Sequence, residues 1–276
     1  MNKWIVSIII AAILGGIFVY LRMNPSILEQ SALKPTMPVA QITNSAMLEP
    51  TGFFEVEGAD TEYFGNVTGY FARPAGEGDY PGVVMVHEWW GLNDNIKDMA
   101  RKLASEGYMV LAVDLYNGKV ASSPDDARKY VSAVDQKQAN ENMKAAYDFL
   151  KSRQAAKVAS LGWCFGGGKS LALAVSGVPL SATVLYYGTP LITDPNELSA
   201  IKWPVHGVFG NKDQAIPVEK VKEFEAALDQ NNIENEIYVY PGVGHAFANP
   251  TGQNYAAQET KDAWAKTLAF LKKNLK

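Results

Sequence analysis

The chain has 276 residues, of which 25 are basic and 29 acidic, for a formal net charge of −4. This length accommodates one large α/β domain and a short additional segment, and without a basic stripe we expect no nucleic acid partner. The single cysteine, Cys164, excludes a disulfide within the chain.

The chain opens with an apolar segment, because residues 4–21 contain no charged side chain. As a helix they would span about 27 Å, close to the thickness of a bilayer core. No Ala-x-Ala pattern follows them, which argues against a cleaved signal peptide. We therefore predict that residues 1–22 form an N-terminal transmembrane-type helix that anchors the protein, with the catalytic domain outside the cytoplasm. The alternative is a signal segment and a secreted or periplasmic protein.

Residues 23–50 contain four prolines among polar and small residues without a clear period, as expected for an irregular tether. Residues 51–276 then alternate between apolar strand patterns and helical patterns. Strands are predicted at residues 53–57, 68–74, 80–87, 108–114, 157–161, 182–188, 205–210 and 236–240. Helices are predicted at residues 93–107, at 124–152 in two pieces, after residue 164, and at 218–230 and 256–275. This alternation predicts an α/β domain with a mostly parallel central sheet and helices on both faces.

The stretch at residues 162–168, Gly-Trp-Cys-Phe-Gly-Gly-Gly, lies between a predicted strand and a predicted helix. It has the Gly-x-nucleophile-x-Gly pattern of a nucleophile elbow, with Cys164 as the nucleophile. At the amino terminus of a helix, a thiolate is favoured by free backbone N–H groups and the helix dipole. The alternative is a buried cysteine in a phosphate-cradling turn, but Trp163 stands where a Walker loop requires its first glycine.

A nucleophilic thiol needs a base and a residue that orients the base. Among the three histidines, His206 lies inside an apolar strand and His87 ends another, whereas His245 lies in a glycine-flanked loop after the last strand. We therefore predict that His245 is the base. The acid is Asp213 or Asp194, each of which follows a strand between the nucleophile and the base. We prefer Asp213, because Asp194 precedes a proline and has a ready role as a turn or cap residue.

The tetrahedral intermediate of acyl transfer needs hydrogen-bond donors. The backbone N–H of Phe165, next to the nucleophile, and that of Trp89, in the loop after the third strand, are the expected pair. The dipeptide His87-Glu88 resembles the start of a zinc-protease motif, but Gly91 stands where the second histidine would be. We expect neither a metal nor a cofactor.

Taken together, these residues resemble the dienelactone hydrolase family of the α/β-hydrolase fold, from about residue 52 to the end. The motifs that carry the resemblance lie at residues 86–93, 114–116, 162–167, 210–213 and 244–247. The resemblance implies a triad of Cys164, His245 and Asp213. It also implies that Glu88 interacts with the resting thiol and is displaced when substrate binds; a solvated loop carboxylate is the alternative role of Glu88.

Two departures from the family concern the substrate. The family's lactonases carry an arginine after the Asp-Leu-Tyr motif, where this chain has residues 117–119, Asn-Gly-Lys, and another four residues after the histidine, where it has Asn249. Without these arginines a carboxylate clamp is not evident, although Lys119 is a candidate replacement. Aromatic residues are predicted to line the substrate site instead, namely Trp90, Tyr116, Trp163 and Phe247, together with Trp89 and Phe165.

The sequence therefore predicts a monomeric, membrane-tethered hydrolase acting on a small-molecule ester, lactone or thioester through an acyl-cysteine intermediate. A different class of function stays open at this point. A redox-sensing or ligand-binding protein on the same scaffold would use Cys164 for reversible oxidation rather than acylation.

Overall fold

The central feature is one eight-stranded sheet, seen in a computed structural model that describes residues 52–276. Its strands are β1 (Val56–Phe64), β2 (Val67–Pro74), β3 (Gly82–Val86), β4 (Met109–Val113), β5 (Val158–Trp163), β6 (Ala182–Tyr186), β7 (Val205–Gly210) and β8 (Asn235–Tyr240). The helices are α1 (Asp94–Ser105), α2 (Pro124–Ala133), α3 (Gln136–Ser152), α4 (Phe165–Val175), α5 (Pro195–Leu198), α6 (Val218–Gln230) and α7 (Ala257–Leu275).

The strands lie in the order β1-β2-β4-β3-β5-β6-β7-β8. The pairs β1/β2 and β2/β4 are antiparallel, and the other neighbouring pairs are parallel. Every residue of β3 to β7 is buried, so both faces of the central strands are covered, as parallel sheets require. The predicted mostly parallel sheet is confirmed, with the architecture of an α/β-hydrolase.

The helices pack against one another and begin at capped residues. The α3 helix packs against α4, and Lys102 of α1 lies over the Trp264 ring of α7. The helix starts follow the predicted capping logic, since Asn93 accepts from the Ile96 N–H and Ser123 from the Asp126 N–H. Proline at the start of α2 has a fixed φ that suits the first turn of a helix.

Several local predictions differ from the structure, and three differences have a clear physical reason. The first strand begins at Val56 rather than residue 53, because β1 is an edge strand whose side chains are mostly exposed and give little apolar pattern. The first helix ends at Ser105 rather than 107, since Gly107 has a φ of +89° and lies outside helical geometry. The short helix α5 was not predicted from the sequence; Asp194 caps it.

The predicted membrane helix at residues 1–22 and the tether at 23–50 lie outside the described residues. Among residues 52–276, none of the helices combines the length and apolar character needed to cross a bilayer.

The fold brings the carboxyl ends of the parallel strands to one edge of the sheet. The loops after β3, β5, β7 and β8 all begin at this edge, and they carry Glu88, Cys164, Asp213 and His245 respectively. Open α/β sheets place their ligand sites at this edge.

Candidate active site

The turn between β5 and α4 holds Cys164 in a strained backbone conformation, with φ 53° and ψ −121°. This conformation is tolerated because the neighbouring glycines let the chain segments approach closely. A Cβ on Gly162 would lie 2.1 Å from the Gly166 carbonyl oxygen, and a Cβ on Gly166 would lie 2.3 Å from that of Val86. The turn therefore raises the Cys164 side chain above the start of α4, as a nucleophile elbow does.

The thiol, the imidazole and a carboxylate lie in line. His245 Nε2 is 3.1 Å from Cys164 Sγ, and His245 Nδ1 donates to Asp213 Oδ2 at 2.7 Å. The second oxygen of Asp213 accepts from the N–H groups of Ala215 and Ile216 at 2.8 and 3.1 Å. Asp213 is therefore held as a buried acceptor that fixes the ring orientation and tautomer of His245.

The charge of His245 follows from these contacts. Burial opposes protonation, but the hydrogen bonds and charges of Asp213 and Cys164 outweigh it and raise the pKa of His245 to about 10. Both partners therefore favour the protonated form of the His245 imidazole. A positive imidazolium facing the sulfur is the environment in which cysteine attacks as a thiolate.

The alternative residues have structural roles. Asp194 is exposed and accepts from the Asn196 N–H at 2.8 Å as the cap of α5. His206 is buried, with Nε2 3.2 Å from the Thr267 hydroxyl, and burial lowers its pKa to about 4. His87 donates from Nδ1 to the Glu88 carbonyl at 2.6 Å, and its Nε2 accepts from the Leu115 N–H at 3.2 Å. His87 is therefore neutral, and burial lowers its pKa.

The two expected oxyanion donors lie in well-fixed segments. Phe165 is the first residue of α4, where an N–H has no acceptor within the helix. In the loop after β3, the Glu88 carbonyl accepts from His87 Nδ1 and from the Gly91 N–H, and the Trp89 carbonyl accepts from the Tyr116 hydroxyl at 3.1 Å. These bonds fix the peptide planes on both sides of Trp89.

Glu88 is buried, with 4% of its surface exposed, so it is not a solvated loop carboxylate. Burial raises its pKa to about 7, against the opposing effects of the His245 charge and of a hydrogen bond from Asn249. That bond runs from Asn249 Nδ2 to Glu88 Oε2. The predicted contact of Glu88 with the resting thiol is therefore not what the structure shows, since Cys164 faces His245 instead.

Sequence analysis singles out Asn249 only because it stands where the family has an arginine, and it does not predict a contact for this residue. It is buried, and its partner Glu88 lies 161 positions away in the chain. A single sequence carries no signal for such a pairing, because neither residue stands in a pattern that depends on the other.

The aromatic residues predicted to line the substrate site divide into two groups. Trp89 and Trp90 are half-buried, with ring centroids 5.0 Å apart, and remain candidates for substrate contact. Phe165 is buried, and its ring lies over that of Tyr116, 5.7 Å between centroids. Tyr116 is also buried, and its hydroxyl supports the oxyanion loop. Among these four aromatic residues, only the tryptophan pair is therefore partly open to solvent.

Two of these predictions need correction. Phe247 is completely buried between Tyr187 and Tyr240, at centroid distances of 5.7 and 5.4 Å. Trp163 is 4% exposed and packs on Tyr186, in the wall of a small cavity behind Glu88. Large rings gain more from burial in the core than from lining a wet pocket, so both support the site from behind.

Lys119 does not lie in a carboxylate clamp. It is exposed, and its ammonium group lies over the Tyr130 ring, 5.7 Å from the centroid. Its charge is therefore at the rim of the site and largely hydrated.

Comparison with known proteins identifies relatives for nearly the whole described chain. The model of the dienelactone hydrolase family matches residues 67–275. "Protein usf" of Aquifex pyrophilus is 36% identical over 220 residues, which is 76% of this chain and 94% of that protein. A protein of Saccharolobus solfataricus named "Putative carboxymethylenebutenolidase" is 31% identical over 268 residues, covering 82% of this chain and 99% of its own.

Solved structures show the same likeness. A dienelactone hydrolase-like promiscuous phosphotriesterase from metagenomic libraries superposes with a TM-score of 0.74 at 25% identity, covering 80% of this chain and 99% of its own. The residues matched by the family model, 67–275, include strands β2 to β8, the elbow and the loop that carries His245.

Proposed function

The chain belongs to the dienelactone hydrolase family of ester and lactone hydrolases, and from that premise we propose that it cleaves small activated esters or lactones through a Cys164–His245–Asp213 triad. The observation that carries this proposal is the contact geometry at the elbow. His245 Nε2 is 3.1 Å from the Cys164 sulfur, and His245 Nδ1 is 2.7 Å from the Asp213 carboxylate. Nucleophilic catalysis requires this chain of contacts from nucleophile to base to acid.

The reaction starts when Cys164 gives its proton to His245, so that the sulfur attacks as a thiolate. The thiolate attacks the carbonyl carbon of the substrate, and the carbonyl electron pair moves onto oxygen, where the Trp89 and Phe165 amides donate to it. The oxyanion then collapses, the bond to the leaving oxygen breaks, and His245 donates its proton to that oxygen. The product of this step is an acyl-cysteine thioester.

Hydrolysis of the thioester uses the same groups in reverse order. Once the sulfur is acylated and neutral, His245 has lost both its proton and the negative partner that favoured protonation. It now accepts a proton from water, and the water oxygen attacks the thioester carbonyl. The acid product leaves, and the thiolate returns beside the imidazolium.

The proposed substrate is less anionic than dienelactone. One position that would supply an arginine is Asn249, which is bound to Glu88, and Lys119 lies at the rim over Tyr130. A substrate carboxylate would therefore lie near the buried Glu88 without a bidentate cation to compensate it. The half-buried Trp89 and Trp90 favour a neutral aryl or enol ester, or a thioester.

The substitution Cys164→Ala tests the proposal. We expect turnover of an activated aryl ester to fall on the order of 10³-fold or more, because the attacking atom is lost. The melting temperature should change little, since Cys164 is only partly buried. Ester hydrolysis by the variant at the wild-type rate would overturn the triad.

A trapping experiment separates this function from redox sensing. In His245→Ala the sulfur can still be acylated slowly by an activated ester, but the base that removes the acyl group is absent. Intact-mass analysis should show one acyl adduct on Cys164. Modification of Cys164 by peroxide without any acylation by esters would instead favour a redox sensor.

A further inference from the structure

A buried side-chain hydrogen bond joins two loops of the site. The loop after β3 carries Glu88 and Trp89, and the loop after β8 carries His245 and Asn249. Asn249 Nδ2 donates to Glu88 Oε2, and both residues are at most 6% exposed. This contact is the hydrogen bond between the loop that offers an oxyanion donor and the loop that offers the base.

Asn249 is held rigidly with respect to His245. Its side-chain oxygen accepts from the N–H and the hydroxyl of Thr251 at 2.9 and 2.8 Å, so its amino group must face Glu88. Its backbone N–H donates to the Ala246 carbonyl at 3.1 Å, directly after the base. The Asn249 amide is therefore a fixed point of the base loop.

Glu88 connects Asn249 to the oxyanion donor, because Glu88 directly precedes Trp89 in the chain. The Glu88 carbonyl and the Trp89 N–H belong to one planar trans peptide and point in opposite directions. The bonds from His87 Nδ1 and the Gly91 N–H to the Glu88 carbonyl set the direction of the Trp89 N–H, and the Asn249 bond to the Glu88 side chain sets where this residue lies relative to the base loop. Oxyanion donors act through pre-set geometry, so small rotations of this plane reduce their effect.

We propose that Asn249 is a positioning residue, which through Glu88 aligns the Trp89 amide with the Cys164–His245 pair. The inference rests on the proposed function. The contact uses a neutral amide, and a carboxyl oxygen accepts from it whether Glu88 is charged or protonated. The alignment therefore persists across the pH range in which Glu88 titrates.

The test begins with Asn249→Ala in the full chain, assayed with an activated aryl ester. We expect kcat to fall about tenfold with KM within about twofold, because the lost geometry matters in the transition state. An aldehyde that mimics the tetrahedral oxyanion should bind about tenfold more weakly. The rate at which iodoacetamide alkylates Cys164 should be unchanged, because the contacts of His245 with Cys164 and Asp213 remain.

A swapped pair provides the rescue. In Glu88→Gln combined with Asn249→Asp, the amide of position 88 donates to the carboxylate of position 249, which still accepts from Thr251. The hydrogen bond is kept with its direction reversed, and kcat should return to within about threefold of wild type. Asn231→Ala is the matched control, since Asn231 ties α6 to the Pro195 carbonyl away from the site; its kcat should stay at the wild-type value.

Three outcomes would overturn the inference. They are an Asn249→Ala enzyme with the wild-type kcat, unchanged affinity for the aldehyde, or a fall in alkylation rate as large as the fall in kcat. If the swapped protein does not fold, the comparison of kcat with aldehyde affinity in Asn249→Ala still decides. Failure of wild-type Cys164 to form a thioester would end the proposed function itself, which is a separate result.

Discussion

Glu88 shows how one buried side chain responds to the fold around it. The residue is 4% exposed, and burial is the largest cause that raises the pKa of its carboxyl group to about 7. The charge of His245 and the hydrogen bond from Asn249 oppose that rise. The folded protein therefore keeps a proton on Glu88 at pH values where the unfolded chain has already lost it.

This difference predicts a pH dependence of stability. Between pH 4.5 and about 7 the folded state binds more protons at this site than the unfolded state, so its contribution to the free energy of unfolding falls as pH rises. Over this pH range the contribution of Glu88 to the free energy of unfolding falls by about 3 kcal/mol. In Glu88→Gln the side chain does not titrate and still accepts from Asn249. The stability of this variant minus that of wild type should therefore be about 3 kcal/mol larger at pH 8 than at pH 4.5.

Urea unfolding of both proteins at the two pH values measures this effect. Titrating groups that do not interact with Glu88 are common to both proteins and cancel in the comparison, so the measured difference belongs to Glu88 together with its charged neighbour His245. Parallel stability curves for wild type and Glu88→Gln would show that Glu88 does not carry an unfavourable charge in the folded protein.

At the scale of single residues, the sequence predicts the reacting groups but not their support. Cys164 and His245 stand in short motifs in which glycine allows a strained turn, and such turns can be read from the chain itself. Asn249 and Tyr116 act on Glu88 and on Trp89 through contacts between distant segments. Those contacts depend on tertiary packing, which no local pattern encodes.

At the scale of elements, the elbow depends on how closely α4 approaches β3. A Cβ on Gly166 would lie 2.3 Å from the Val86 carbonyl oxygen and 2.4 Å from that of His87. Both obstacles are backbone atoms in or next to a fully buried strand, so neither can rotate away. The position of the nucleophile is therefore set by an approach that only glycine permits.

The substitution Gly166→Ala should therefore be costly. We expect a loss of about 3 kcal/mol in the free energy of unfolding, at the upper end of overpacking effects, together with a large loss of ester turnover. Gly65→Ala is the control, since Gly65 lies in a turn with φ +55° and open space around its Cβ. It should cost about 1 kcal/mol for the left-handed conformation. Equal costs at the two positions, measured by urea unfolding, would contradict this explanation.

Strands and helices can be predicted from the sequence where burial requires a recognisable pattern of apolar residues. The strands β3 to β7 are continuous apolar runs, because helices cover both of their faces. The edge strand β1 pairs on one side only, so most of its side chains face solvent and its start was misplaced. The one-turn helix α5 was missed, because four residues are too few to show helical periodicity.

At the scale of the whole molecule, the described chain begins and ends at the edge of the sheet opposite the site. The Phe54 N–H donates to the Ser105 carbonyl, and the Lys276 ammonium group donates to the Glu106 carbonyl, both just before β4. Cys164 and His245 follow the carboxyl ends of β5 and β8. Residues 52–276 also fall within a single compact unit. Within the described residues, the first and last contacts of the chain are therefore remote from the catalytic loops.

This separation leads to a prediction about residues 1–22. Their 18 uncharged residues at positions 4–21 are long enough as a helix to cross a bilayer, and burial of such a segment in lipid resists extraction. We expect the full chain to stay in the membrane fraction through an alkaline carbonate wash. A chain lacking residues 1–22 should be released, with kcat for an aryl ester unchanged.

The fate of the segment can be read from the same membrane fraction. N-terminal sequencing should begin at or near Met1, because the residues after the apolar run lack a cleavage pattern. A mature chain that begins beyond residue 22 and is recovered free of membranes would show that the segment is a cleaved signal. Loss of kcat on deletion would show instead that residues 1–22 contribute to the catalytic domain, contrary to the separation of chain ends and site.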